Sequence, residues 1–400
     1  MERCLRAEVA EVYRAGRLSG SPDSKARRGS LERVSAATKR APLAGFPPPP
    51  PPRSFRARGG ELAALERAIR SGEQRRFALV GSGGSGKSTL ACALGHRVKD
   101  AFAGGIHWFR VGAWDTFTLA GMLALRFGLP LQRPRKLARL RAHLVRRRPT
   151  LIVLDNHEDD RAVAALLDAL RDAPVTWVIT ARRCLLAGVS IYPVVPPLIT
   201  LGGSPFPAVA SLTRLLRWNP VALDLADAIV ATRAVDARAL GLWLTSKGVD
   251  RVRVIAHEDD LPEVGLLVAW SFAKLAAGSR RMLGVLAHTD GDHVDAASLV
   301  ALAHVRGSAA LAELQRYRLV QEPLAGRFAL HATVRHALAK RTHADEGAIA
   351  EHYVSLLERH PERLELEQTH LFAAMDHAST AGDIATALRL ERLVAALETT

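Results

Sequence analysis

The stretch Gly81-Ser-Gly-Gly-Ser-Gly-Lys-Ser-Thr89, with Arg76-Phe-Ala-Leu-Val80 before it and Leu90-Ala-Cys-Ala-Leu94 after it, decides how this chain is read. It fits G-x-x-x-x-G-K-[ST] without a gap, with Gly81, Gly86, Lys87 and Ser88 in the fixed places. The chemistry requires that spacing. Gly81, Gly83, Gly84 and Gly86, with Ser82 and Ser85 between them, let successive backbone N–H groups approach a phosphate that bulkier side chains would block. Lys87 is placed to reach the β- and γ-phosphates, and the Ser88 hydroxyl to complete a Mg²⁺ shell. Thr89 opens a run of helix-forming composition, so the phosphates would sit at a helix N-terminus. A Gly/Ser linker matching the pattern by chance would not be flanked by apolar runs on both sides. The stretch reads as a nucleotide site.

A chain of 400 residues is too long for one ordinary core and suggests roughly two to four units. With 48% hydrophobic and 24% charged residues, the composition is globular, neither disordered nor membrane-like. The formal net charge of +15 admits a nucleic-acid or acidic partner. The basic residues are spread along the chain, however, and the excess of Arg and Ala fits a GC-rich coding sequence equally well. Cys4, Cys92 and Cys184 stand apart, with no C-x-x-C spacing, so neither a disulfide framework nor a zinc site follows. The N-terminus lacks the apolar core of a secretory signal, and no uncharged run of 18 apolar residues occurs. A cytoplasmic protein with no membrane partner is expected.

Residues 1–53 read as a basic arm and linker, with Leu5, Val9, Val12 and Tyr13 on one side of a short helix. Pro47 to Pro52 would form a stiff polyproline II spacer, or a docking peptide for an aromatic groove. Phe55 to Leu65 leads into a helix that ends near Gly72. Gly105 to Val111 is expected as a strand, Phe117 to Phe127 and Arg135 to Arg148 as helices. Leu151-Ile-Val-Leu-Asp155 has the pattern of a buried parallel strand, with an acid at the end where phosphate-loop proteins hold Mg²⁺. Asn156 stands where many hydrolases carry a second acid, and Glu158, Asp159 and Asp160 follow in the same loop; Glu158 is the candidate for orienting an attacking water. Val175 to Thr180 is a further strand, with Arg182 at its mouth and within reach of a γ-phosphate. Alternating strands and helices predict a doubly wound α/β sheet with its ligand at the carboxyl edge.

From Pro205 onward the periodicity is helical: Ala208 to Leu216, a helix begun by Trp218-Asn-Pro220, Arg238 to Leu244, Val264 to Ala276, Ser279 to Leu286, Ala296 to Ala303 and Ala309 to Tyr317. Leu319 to Glu322 and Arg327 to His331 are expected to pair across Pro323 to Gly326. Helices that end in a small hairpin are the outline of a winged helix. Residues 345–398, with Leu371 to Thr380 and Ile384 to Ala396 split by Gly382-Asp383, suggest one helical-hairpin repeat. A single hairpin does not bury its own face, so an array would be expected to continue.

In this order the pieces resemble the signal-transduction ATPases with numerous domains, the STAND class, and within it the bacterial type of the NB-ARC or apoptotic-ATPase family. The resemblance covers roughly residues 54–342. It rests on Phe55, Arg58, Glu61 and Leu62, on Leu79 to Leu90, on Leu151 to Asp155, on Thr180-Ala-Arg182, on Asn219-Pro-Val-Ala-Leu223 and on Leu330-His331-Ala332. It implies a phosphate-loop NTPase domain at 54–203, a helical domain at 204–262, a winged-helix domain at 263–342 and a repeat-like helical tail at 343–400. It further implies ATP or ADP with Mg²⁺ bound between these parts. Phe55, Arg58 and Pro220 would border the adenine, and His331 would touch the β-phosphate of ADP. Ala57, Ala181, Asn219 and Ala332 depart from the family's usual residues. ATP over GTP rests on the same resemblance, with no N-K-x-D guanine motif present. The implied function is a slow, regulatory ATPase that switches conformation and forms homo-oligomers on activation, with the tail available to a protein ligand. Two other classes stay open: a scaffold that holds ADP with little turnover, and an origin-recognition-like ATPase whose winged helix binds DNA. The residues do not favour DNA, because the hairpin carries only Arg327 and Ala296 to Ala303 has no basic residue.

Overall fold

The computed structural model describes residues 58–111, 114–129, 136–195, 207–249, 261–289 and 293–398. All of them belong to one compact unit, Pro42–Thr399. The expected arm at 1–53, its proline run and Phe55 lie outside the described residues.

Five parallel strands form the first sheet: β1 (Arg76–Val80), β2 (Ile106–Arg110), β3 (Thr150–His157), β4 (Val175–Ala181) and β5 (Ser190–Pro193), in the order β2-β3-β4-β1-β5. Strands covered on both faces need apolar side chains at every position, which is why Phe77 to Leu79 and Leu151 to Leu154 read as unbroken runs. Alternation sends Leu151 and Val153 to the face covered by α1 (Gly59–Ser71) and α2 (Lys87–Val98). Ile152 and Leu154 face α3 (Thr116–Arg126), α4 (Lys136–Val145) and α5 (Asp160–Ala169). Asp115 and Asp159 cap α3 and α5 through their side chains, and α1 stops at Gly72, whose φ of 71° suits a residue without Cβ. The edge strand β5 was not expected; Ser-Ile-Tyr-Pro is short and ends in proline, which a sheet tolerates at its edge. The basic helix ends at Val145, three residues before its expected end at Arg148.

The helical part begins with a short 3-10 segment, Pro207–Leu212, where a helix from 208 to 216 was expected. The chain bends at Val209, and Arg217 and Trp218 take positive φ, forming a turn that delivers Asn219 to the head of α6 (Pro220–Ala231). Then come α7 (Ala237–Ser246), α8 (Pro262–Lys274), α9 (Ala277–His288), β6 (Val294–Asp295), α10 (Ala296–Leu302), α11 (Ala309–Arg316), β7 (Gln321–Leu324), β8 (Arg327–Ala329) and α12 (Ala332–Ala339). The last three strands make an antiparallel sheet in the order β6-β8-β7, the helix-and-hairpin outline read from the sequence. Helix α12 was not foreseen, because its cap is His331 and not one of the usual Ser, Thr, Asp or Asn residues. One core, including Leu223, Leu267, Leu286, Leu330 and Leu338, joins these elements.

The tail is three helices: α13 (Glu346–Arg359), α14 (Leu364–Ala381) and α15 (Ile384–Glu398). Helix α14 starts seven residues before the expected Leu371. The apolar face that seemed to need further repeats is covered by the α/β part: Val354, Leu357, Leu371, Phe372 and Leu390 share a core with Leu119, Leu123 and Leu166. Phe372 packs so closely on α3 that a Cβ at Gly121 would lie 2.9 Å from its ring. On its other side the tail meets the small sheet through buried charges. Arg327 donates to both carboxylate oxygens of Glu367, at 2.8 and 2.7 Å, and to His293 Nδ1 at 2.7 Å. Arg363 donates to Asp295 and Glu367, and the His370 ring meets the His293 carbonyl at 3.0 Å. Among the described residues no helix is long and apolar enough to cross a membrane.

Glu367 is fully buried, so Glu367→Ala strands the Arg327 guanidinium and costs about 3–5 kcal/mol of stability. Arg389→Ala, which removes a pair to the more exposed Glu351 and Glu358, costs about 1 kcal/mol or less. Denaturant titration of both variants checks the contrast. Burial pushes His107 and His370 down to about 4 from an ordinary 6.5. The unfolded chain therefore takes up more protons between those values, and the stability that the neutral rings permit is complete above 6.5 and lost as pH falls toward 4. Melting temperatures measured across that window should fall with acidification; a flat profile would count against it.

Candidate functional site

The loop between β1 and α2 is shaped by close approaches that leave no room for side chains. A Cβ on Gly81 would fall 2.2 Å from the Val194 carbonyl oxygen, and one on Gly83 would fall 2.6 Å from the Thr333 methyl. Gly84 and Gly86 take φ of 74° and 90°, which turn the loop into the head of α2. Lys87, on the first turn of α2, donates to the carbonyls of Gly81 and Ser82, each at 2.8 Å. Burial lowers its pKa to about 8, with Arg182 adding to the effect and Asp155 opposing it. Ser85 is wholly buried, and its Oγ has no hydrogen-bond partner among the described residues. A buried hydroxyl in that state fits a loop built around an acceptor such as phosphate. Thr89 is half-buried behind Ser88 on the same turn.

Asp155, 6% exposed and two residues before the end of β3, accepts from Ser88 Oγ and from Thr180 Oγ1, both at 2.6 Å. Thr180 Oγ1 in turn accepts from the Asn156 backbone N–H at 2.9 Å. The two expected metal residues, Ser88 and Asp155, are thus together, and Thr180 fixes the carboxylate. No group of three His, Cys, Asp or Glu side chains among the described residues could hold a metal alone. Mg²⁺ would rest on Ser88 and Asp155 together with the nucleotide's own oxygens, and the geometry fits that arrangement.

The other expected residues divide. Arg58, 5% exposed, donates to the Ser85 and Val195 carbonyls and to Glu61, so it braces the loop against the exit of the sheet. Arg182, just past β4, lies close enough to Lys87 and His331 to bear on both. Glu158 is exposed and accepts from the Asn156 side chain at 3.0 Å; Asp159 caps α5, and Asp160 meets the His157 ring and the Leu185 N–H. Pro220 opens α6. His331 is half-buried at the head of α12, where its Nδ1 accepts from Thr333 N–H at 3.2 Å. Burial first, then Arg110, Lys87 and Arg182, push His331 down to about 4, which keeps it neutral at physiological pH.

The roles of three contributors were missed in the sequence. Asn219, noted there only as a departure from a pattern, caps α6 through Val221 and Ala222 and donates from Nδ2 to the Gly83 carbonyl at 3.2 Å. Its place before Pro220 was a legible cap signal. Thr333, which has no sequence signature of its own, meets the same glycine from α12, and Thr180, noted there only as part of a strand and of Thr180-Ala-Arg182, holds Asp155.

Against solved structures, the chain is similar to a STAND protein with a tetratricopeptide repeat sensor from Pyrococcus horikoshii. The two are 15% identical, with a TM-score of 0.55 over 89% of this chain and 55% of that one. This chain therefore spans about half the length of that structure. Cdc6p from Pyrobaculum aerophilum, 15% identical with a TM-score of 0.33, covers 72% of this chain and 94% of its own. The Aeropyrum pernix ORC1 protein in complex with DNA, also 15% identical, gives 0.31 over the same shares. At such identities the first likeness is one of fold, and the other two are too distant to bear on it. No family model and no curated protein matches the chain. The fold is that of a phosphate-loop NTPase sheet followed by helical domains.

Asn219→Ala should lower stability by about 1 kcal/mol from the lost cap alone. It should cost more in total, because the Gly83 carbonyl also loses its donor. Asn219→Ser keeps a capping acceptor but lacks the amide that reaches Gly83, so chemical denaturation should rank it between wild type and Asn219→Ala.

Proposed function

We propose that this chain is an ATP-binding, slowly ATP-hydrolysing signal-transduction switch that changes conformation and assembles with nucleotide state. The observation that carries the reading is the roof over the phosphate loop. Gly83 is touched at once by Asn219 at the head of α6 and by Thr333 at the head of α12, so any change in the loop's occupant is felt by both. A few kcal/mol of differential affinity between two arrangements is enough to flip such an element.

In this reading Lys87 turns from the loop carbonyls to the β- and γ-phosphates, Ser85 donates to a phosphate oxygen, and Arg182 senses the γ-phosphate. Mg²⁺ held at Ser88 and Asp155 would neutralise charge developing between the β- and γ-phosphates. Phe55, Arg58 and Pro220 border the base, and His331, kept neutral by burial and by the charges of Arg110, Lys87 and Arg182, marks the diphosphate state. The domain division at 203/204, 262/263 and 342/343 belongs to the same reading, as do self-assembly on activation and a protein ligand at the tail. Slow turnover fits the chain beyond Asp155: Asn156 replaces a second acid, and the exposed Glu158 is drawn to Asn156. That pairing equally favours the alternative of a scaffold that holds ADP with little turnover. The DNA-binding alternative gains nothing from the hairpin, whose Arg327 is 6% exposed and turned into Glu367.

Lys87→Ala should abolish binding of ATP and ADP in calorimetry. Single-turnover hydrolysis should be detectable in the wild type and lost in Asp155→Ala. Binding without any Asp155-dependent hydrolysis would replace the switch by the scaffold.

A further inference from the structure

The alternation of β2 and β3 brings a residue to the site that the reading above leaves without a role. Arg110 ends β2 and is the register partner of Asp155, and the next residue, Val111, donates its N–H to the Asp155 carbonyl at 2.9 Å. Registered neighbours on parallel strands project to the same face. On β2, Ile106 and Trp108 join the core beneath α1 and α2, as Leu151 and Val153 do on β3, whereas Phe109 and Leu154 face α3 and α5. Arg110 therefore leaves the sheet on the face of α2, beside the carboxylate that Ser88 holds, at the carboxyl edge where doubly wound sheets take their ligands. It is half-buried, and its charge bears on the His331 ring together with those of Lys87 and Arg182. The charges of Lys87, Arg110 and Arg182 all bear on His331, and the carboxylate of Asp155 bears on Lys87. In the reading of the loop as an ATP site, a triphosphate would carry one more negatively charged group than a diphosphate to this edge of the sheet.

We propose that Arg110 is a nucleotide-discriminating residue, a second arginine beside Arg182 that reads the terminal phosphate of a nucleoside triphosphate. This inference rests on the reading of the loop as an ATP site. Arg110 approaches from the β2 side of Asp155 and Arg182 from the β4 side, so the terminal phosphate is gripped across the metal-binding carboxylate. A planar guanidinium suits that role better than an ammonium, because it offers several donors in fixed directions. The same charge disfavours a protonated His331, so the triphosphate, by drawing the guanidinium toward itself, alters the surroundings of the ring at the head of α12.

The test is equilibrium binding of Mg²⁺ with a non-hydrolysable ATP analogue, and of ADP, to the full chain and to Arg110→Ala, Arg110→Lys and Lys87→Ala. Arg110→Ala should weaken the triphosphate analogue about ten-fold or more, the loss of one charge-assisted contact, and change ADP less than about two-fold. Arg110→Lys should recover part of the triphosphate affinity. Equal losses for both nucleotides in Arg110→Ala, or unchanged affinity for both, would overturn the role of Arg110 and leave the site intact, provided Lys87→Ala still abolishes binding. A wild-type chain that binds neither nucleotide would overturn the site itself, and this inference with it.

Discussion

Gly83 is the point on which the structure turns. Its carbonyl accepts from Asn219, and its bare Cα admits the Thr333 methyl, so two helix heads from distant parts of the chain rest on one residue of the phosphate loop. A side chain at Gly83 would force α12 away, and a shift of the loop would pull on the cap of α6. Packed contacts of this kind do not deform smoothly; they hold or they let go. The loop, the helical part and the helix-and-hairpin part are therefore coupled through geometry as well as through any ligand.

The second constraint lies away from the loop. The tail closes the structure by burying Phe372 on Gly121 of α3 and Glu367 beneath Arg327 of β8. The first contact is apolar and non-directional. The second is a desolvated ion pair whose worth depends on both partners being present. Together they tie the α/β part to the small sheet along a surface that the loop does not touch, so a movement at α12 must either carry the tail or break one of these ties.

The phosphate loop, the four main strands and the helices around them were legible because their signals are local. Glycine spacing and apolar runs such as the one ending in Asp155 each dictate backbone geometry within a few residues. What escaped was set by tertiary contact. The short edge strand β5 has too few residues to show a pattern, and α12 is capped by a histidine. The turn at 213–218 exists to present Asn219, and the tail's apolar face gave no sign of which surface would cover it. Within the site, Lys87, Ser88 and Asp155 were readable from the motif. Thr180, Thr333 and Arg110 owe their positions to strand register and helix docking, which a linear pattern does not carry.

The central claim is that the loop's occupant governs the heads of α6 and α12. Hydrogen–deuterium exchange of the full chain, compared between ADP and a non-hydrolysable ATP analogue with Mg²⁺, tests it most directly. The account predicts that protection changes at 219–223 and 331–335 while the buried strands β3 and β4 stay equally protected in both states. Identical exchange at those two helix heads with either nucleotide bound would contradict it.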